Sequence, residues 1–222
     1  MTARPASPYL APGFYDRALA QGRHRDIVGG RWDETGRLQM RLLQEAGLQP
    51  QHRLLDIGCG ALRLGCRAVP FLDPGHYWGT DASGALMARG RATELADPDR
   101  LPLDNLIEDA AFAFPGVPAT IDFAIAFAVF THLPADRLAP ALTNIRARFP
   151  ALQHLLFTVF VAPDDHTGPL RQPDGVVTHP DRPPYHRPAG EVLQDARAAG
   201  FVATLCDTRL PRGQVLCLAQ PA

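Results

Sequence analysis

The residues with most chemistry to offer lie in Leu54-Leu55-Asp56-Ile57-Gly58-Cys59-Gly60-Ala61-Leu62-Arg63-Leu64-Gly65. Leu54, Leu55 and Ile57 read as a short buried strand. Gly58 and Gly60 permit a tight turn in which the backbone passes close to a ligand. The helix expected next presents its free amide groups at the same place. In doubly wound α/β proteins this first turn is where nucleotides bind. A second acid, Asp81, ends the run His76-Tyr77-Trp78-Gly79-Thr80-Asp81. A carboxylate at the end of a second strand can accept both ribose hydroxyls of a nucleoside.

Spacing narrows the ligand. A dinucleotide fingerprint places its third glycine three residues after the second; here that position is Arg63, and the next glycine is Gly65. A phosphate-binding loop ends in Gly-Lys-Ser/Thr, and this chain has no lysine, all 22 basic residues being arginine. The same absence excludes a Schiff-base nucleophile. Asp56, an acid inside the turn region, suits a cationic ligand better than a pyrophosphate. The Asp-x-Gly-x-Gly turn resembles the first motif of class I S-adenosylmethionine-dependent methyltransferases. Later stretches, roughly Leu54 to Ala219, follow that family's order. Val28-Gly29-Gly30-x-Trp32 is similar to a segment upstream of the first motif in some bacterial members.

The resemblance implies a Rossmann-like, seven-stranded, mostly parallel sheet with helices on both faces and a C-terminal antiparallel hairpin. It implies S-adenosylmethionine as cofactor and contacts to it from Asp56, Gly58, Cys59, Gly60, Arg63, Asp81, Ala82, Asp109 and Phe127. Gly58 and Gly60 approach the methionine part and Asp81 the ribose. Asp109, with Glu108 as the alternative, meets the adenine amino group. Arg63 is placed either to reach the donor carboxylate or to act from the surface or behind the site. Val129-Phe130-Thr131-His132-Leu133-Pro134 resembles the fourth motif, whose strand end and loop face donor and acceptor. The implied activity is methyl transfer to a small-molecule acceptor, a hydroxyl of a natural product or sugar. A nicotinamide-dependent oxidoreductase and a non-catalytic S-adenosylmethionine-binding protein are the competing readings.

A hydroxyl acceptor needs a base, and histidine titrates in the useful range. His132, just past the fourth strand, and His186, in a later proline-rich stretch, are the catalytic candidates, with His24 behind them. A lone histidine at a helix start also serves structure. Asp164, Asp165, His166, His179, Asp181 and His186 include possible metal ligands, but no tight helical pair such as His-x-x-x-His joins them, so no metal is assigned. Trp32 either packs on the core or offers a face to the sulfonium.

Composition sets the frame. The 222 residues, with 22 basic and 23 acidic side chains, give a net charge of −1, so nothing attracts nucleic acid or an anionic membrane broadly. There is no basic stripe, and Pro183-Pro184-Tyr185 lies away from the fourth strand. The four cysteines, Cys59, Cys66, Cys206 and Cys217, form no Cys-x-x-Cys pair and suit a reducing, cytoplasmic setting. No apolar run reaches the roughly 18 residues of a membrane span, and the N-terminus lacks a signal core. A monomer or homodimer is expected.

The elements that position these residues follow from periodicity and punctuation. Residues 1–50 read as an N-terminal helical cap and 51–222 as the methyltransferase domain. Residues 1–11 are expected to be loose, with a short helix within 12–25. Asp33 is expected to cap a helix over 34–46 that Gly47 stops. Helices are expected over 61–72, 85–95, 135–148 and 189–199, with Pro140 bending or delaying the third of these. Strands are expected at 54–57, 76–81, 103–109, 121–128, 152–161, 201–206 and 214–219. Residues 163–188, with seven prolines, are too long for a plain loop and read as a lid or an insertion carrying small strands.

Overall fold

The protein is described here by a computed structural model covering Ser7, Tyr9 and residues 13–222, the side chain of Arg209 excepted. The expectation for residues 1–11 therefore falls, apart from Ser7 and Tyr9, outside the described residues. The chain folds as two compact units.

The first unit holds residues 13–125 and 149–152. It contains α1 (Phe14–Ala20), α2 (Trp32–Glu45), β1 (Leu54–Ile57), α3 (Gly65–Phe71), β2 (Tyr77–Asp81), α4 (Gly84–Glu94), β3 (Leu106–Glu108) and most of β4 (Phe123–Ala126). Its strands run in the order β3-β2-β1-β4, all parallel. β1 is buried along its length, as a strand covered on both faces must be. Leu54 aligns with Tyr77 on one side and Phe123 on the other. That register brings the C-terminal ends of β1 and β2, with Ile57 opposite Thr80, to one edge, where the glycine turn and Asp81 lie.

Several boundaries differ from the sequence reading. α3 begins at Gly65, four residues later than expected, because Leu62 adopts a left-handed backbone (φ 64°) that a continuous helix does not tolerate. Asp33 does not cap α2: the capping position is Arg31, with φ 48°, and the Asp33 carboxylate instead accepts from Arg67 at 2.7 Å. β3 is short because residues 103–105 form a 3₁₀ turn. The Asn105 side-chain amide there donates to the Gly75 and Tyr77 carbonyls, both at 2.9 Å. β4 ends at Ala126, since Ala128 turns left-handed (φ 60°).

The second unit holds Ser7, Tyr9 and residues 126–148 and 153–222. In it lie α5 (Leu138–Arg148), β5 (His154–Ala162), β6 (Leu170–Arg171), β7 (Val177–Thr178), β8 (His186–Pro188), α6 (Ala189–Ala198), β9 (Phe201–Arg209) and β10 (Val215–Pro221). β10 pairs antiparallel with both β5 and β9, the closing antiparallel pair that was expected. Pro140 delays its helix: 135–137 form a 3₁₀ turn and α5 starts at Leu138, so that the proline sits in the first turn, where its missing N–H costs nothing. The 163–188 stretch carries small strands: β6 and β7 make a hairpin, and β8 pairs parallel with β5, Phe160 opposite His186. Strands β1 to β5 with β9 and β10 make up the expected Rossmann-like, mostly parallel seven-stranded class.

α4 comes close to the segment leading into α3. A side-chain carbon at Gly90 would lie 2.3 Å from the Ala61 carbonyl oxygen, whereas one at Gly190, in α6, would meet nothing within 4 Å. Gly90→Ala is expected to lower unfolding stability by about 1–3 kcal/mol through overpacking against backbone. Gly190→Ala should leave stability unchanged or slightly raised; urea unfolding of the two variants checks the contrast.

Candidate functional site

The strand–turn–helix at 54–65 and the end of β2 build one continuous feature. Gly58 (φ 70°) and Gly60 (φ 55°) both take left-handed backbone, so the sequence spends glycine where other residues are strained. The Gly58 and Cys59 amides donate to the Thr80 carbonyl at 2.7 and 3.0 Å, locking the turn to β2. The Gly60 amide donates to Asp81 Oδ2 at 2.9 Å and the Ser83 amide to Oδ1 at 3.1 Å.

Asp81 is buried. Burial pushes its carboxyl up to about 6, although hydrogen bonds from the Gly60, Ser83 and Ala82 amides pull the other way. The two carboxylate oxygens offer about four acceptor sites and these three amides take three, so one oxygen keeps capacity for an incoming hydroxyl. Asp81 is not the cap of α4; that role belongs to Ser83, whose hydroxyl accepts from the Leu86 amide at 3.2 Å. Ala82 is half-buried between them.

Asp56 lies under the turn, 2 % exposed. Burial raises its carboxyl to about 7, against a hydrogen bond from Tyr77 and the charge of Arg63. The Tyr77 hydroxyl donates to its Oδ2 at 2.6 Å. Sequence reasoning missed Tyr77; the available signal was its place opposite Leu54 once β1 and β2 are aligned. Cys59 turns its thiol inward, toward Gly79, and burial raises that thiol well above its usual range. Any contact it makes at the turn is through backbone.

Arg63 is buried. Its Nη1 donates to the Val28 carbonyl at 2.6 Å and to Gly30 at 3.4 Å, and its Nε to Gln39 Oε1 at 3.4 Å. Asp109 accepts from the Ala111 and Phe114 amides, both at 2.8 Å, one on each oxygen, and so shapes its own loop. Glu108 accepts from the Gly84 amide at 2.8 Å, at the start of α4. Trp32 has the Arg25 guanidinium 5.1 Å from its ring, a cation already on that face. His24 pairs with Glu94 at 2.7 Å.

The remaining candidates belong to the second unit. Phe127 is buried. His132, half-buried in the 3₁₀ turn 130–132, packs edge-on against Tyr9 with ring centroids 5.0 Å apart. Burial, helped by the charge of Arg212, lowers it to about 4, so its imidazole is neutral near pH 7 and a weaker base than an exposed histidine. His186 is buried; its Nδ1 meets Thr178 Oγ1 at 2.7 Å and its Nε2 is enclosed without a partner. Burial first, then His166 and His179, lower it. Strand alternation separates it from Tyr185 and Arg187, which line a small apolar cleft with Phe130, Leu138 and Phe160. Among the described residues no group of three or more His, Cys, Asp or Glu is placed to hold a metal ion. Nor is any described helix long and apolar enough to cross a membrane.

Residues 55–149 match the family model described as a methyltransferase domain. The matched stretch, less than half of the chain, holds the glycine turn, Asp81, Asp109, Phe127 and His132. Magnesium protoporphyrin IX methyltransferase from Synechocystis PCC 6803, solved with bound S-adenosylmethionine, aligns over 100% of both chains at 15% identity, with a TM-score of 0.67. A putative O-methyltransferase from Nostoc punctiforme PCC 73102 aligns over 99% of this chain and 64% of its own at 18% identity, TM-score 0.66. The [4+2]-cyclase SpnF aligns over 84% of this chain and 81% of its own at 17% identity, TM-score 0.59. At such identities the likeness is one of fold.

Because the Asp56 carboxyl is raised in the folded protein, folding loses stability as pH climbs from its unfolded value, near 4, through about 7. Asp56→Asn keeps an acceptor for Tyr77 and removes that charge. The variant is therefore expected to gain on the wild type by a few kcal/mol at pH 8 and to lose the advantage by pH 4. Thermal unfolding across that range tests it.

Proposed function

We propose that this protein transfers the methyl group of S-adenosylmethionine to a hydroxyl of a small molecule, a natural product or a sugar. The observation that carries the reading is the pairing of the glycine turn with Asp81. A buried carboxylate, held to the Gly60 amide at 2.9 Å and retaining acceptor capacity, suits a ligand that brings hydroxyl donors and a positive charge. The position where a dinucleotide site needs glycine is Arg63, buried and bound to the Val28 carbonyl, which weakens the nicotinamide alternative.

Bound there, the donor supplies an already electrophilic methyl carbon on sulfur. The chain's work is then to hold donor and acceptor in line at about 3–3.5 Å and to exclude water. The acceptor oxygen bonds to the methyl carbon as the carbon–sulfur bond breaks, and that electron pair stays on sulfur. His132, neutral and following β4, takes the hydroxyl proton. His186 is a weaker candidate, because its Nδ1 is bound to Thr178 and its Nε2 is enclosed. Residues 1–50 act as a cap and the 163–188 insertion as the acceptor-side element. The likeness to a [4+2]-cyclase supports a second reading, in which the same fold binds the donor without transferring its methyl group.

Asp81→Ala is expected to weaken S-adenosylhomocysteine binding more than tenfold by calorimetry, about 1.4 kcal/mol or more. His132→Ala should reduce turnover about a hundredfold or more while leaving donor affinity within roughly threefold. Release of S-adenosylhomocysteine with candidate acceptors is the assay; donor binding with no release from any hydroxyl acceptor favours the second reading.

A further inference from the structure

Residues 23–32 are tied to the glycine turn at several points, and the donor reading does not require any of them. Val28 lies directly on Gly60: a side-chain carbon at Gly60 would sit 2.5 Å from Val28 Cγ1. The Gly60 position is therefore closed to any side chain by its neighbour as well as by its own left-handed backbone. The carbonyl of Val28 is gripped by Arg63 Nη1 at 2.6 Å, a charge-assisted bond from a buried guanidinium. Gly29, Gly30 and Arg31 then take three successive left-handed conformations, with φ of 93°, 64° and 48°. For Arg31 this costs on the order of 1–2 kcal/mol, held in place by the contacts around it.

The other end is fastened to α4. Glu94, at the last position of that helix, has a carboxylate only 4 % exposed. Arg25 meets it through two nitrogens, at 2.9 and 2.6 Å, and His24 through Nε2 at 2.7 Å. Burial works against the charge on Glu94, but these bonds outweigh it and hold the carboxyl below its usual range. Arg25 also lies over the Trp32 ring, closing the segment on itself.

We infer that residues 23–32 are a strap that closes over the methionine end of the donor, and that Arg63 is the positioning residue that seats it. On this inference Arg63 acts through the Val28 backbone, and Val28 supplies the wall beside Gly60. Glu94 is the remote latch. The inference rests on the donor reading of the turn and assigns to this chain's own N-terminal segment the covering of that site.

Trypsin cuts this lysine-free chain only after arginine, so Arg23, Arg25 and Arg31 report on the strap and Arg197, exposed in the last turn of α6, serves as a control outside it. Saturating S-adenosylhomocysteine should slow cleavage at the three strap sites about tenfold or more relative to Arg197. Arg63→Met should abolish that protection and raise the dissociation constant about tenfold. It should raise KM for the donor with kcat changed less than about threefold, and Arg63→Lys should restore part of the affinity. Glu94→Gln, far from the turn, should speed cleavage at Arg25 and weaken binding by a smaller factor. Binding by the wild type without protection overturns the strap and leaves the donor reading standing. Loss of affinity in Arg63→Met with protection intact overturns it too, since Arg63 would then serve the ligand directly. Failure of the wild type to bind at all overturns the donor reading and the strap together.

Discussion

A carboxylate removed from water at the end of β2 is the constraint around which the first unit is arranged. Burying a charge is expensive unless donors surround it. Asp81 receives the Gly60 and Ser83 amides, the first from a turn whose glycines 58 and 60 take left-handed backbone. Even so, burial prevails and the acid sits above its usual range. The carboxylate is thus under-compensated, and on the proposed reading a ligand's hydroxyls would complete it. Asp56 repeats the situation below the turn, with Tyr77 as its single strong donor. Two under-compensated acids at one strand edge favour a cationic nucleoside and disfavour a pyrophosphate.

This part of the molecule was legible in the sequence because backbone demands leave residue-type signatures. A left-handed turn shows as glycine, a strand covered on both faces shows as an unbroken apolar run, and an acid at a strand end shows by its spacing. The Pro163–Pro188 stretch declared itself by composition, and Pro140 by its effect on a helix start. Contacts set by register did not show. Nothing about Tyr77 as a letter in the chain says that its hydroxyl reaches Asp56, since that depends on β1 and β2 aligning Leu54 with Tyr77. Leu62 carries no mark of its left-handed conformation, and α3 was accordingly expected too early.

Charged side chains were the least legible because one residue type has many satisfactory partners. Arg63 follows the turn closely enough to suggest a ligand, yet its guanidinium turns back to the Val28 and Gly30 carbonyls. Asp33 has the type and place of a helix cap and is spent on Arg67 instead. The histidines divide in the same way. His24 is absorbed by Glu94 and His186 by Thr178, whereas His132 meets an aromatic edge. Side-chain entropy and long reach let such residues choose among partners that periodicity cannot rank.

Arg63 occupies the place that a third glycine holds in dinucleotide turns. Exchanging the cofactor class that such a turn takes would begin there, since the third glycine of a dinucleotide turn lets helix and strand pack closely. In this chain the same exchange would release residues 28–30 from their anchor. Ligand choice and N-terminal order are therefore tied to one side chain, and a mutational route that alters the first must rebuild the second in the same step.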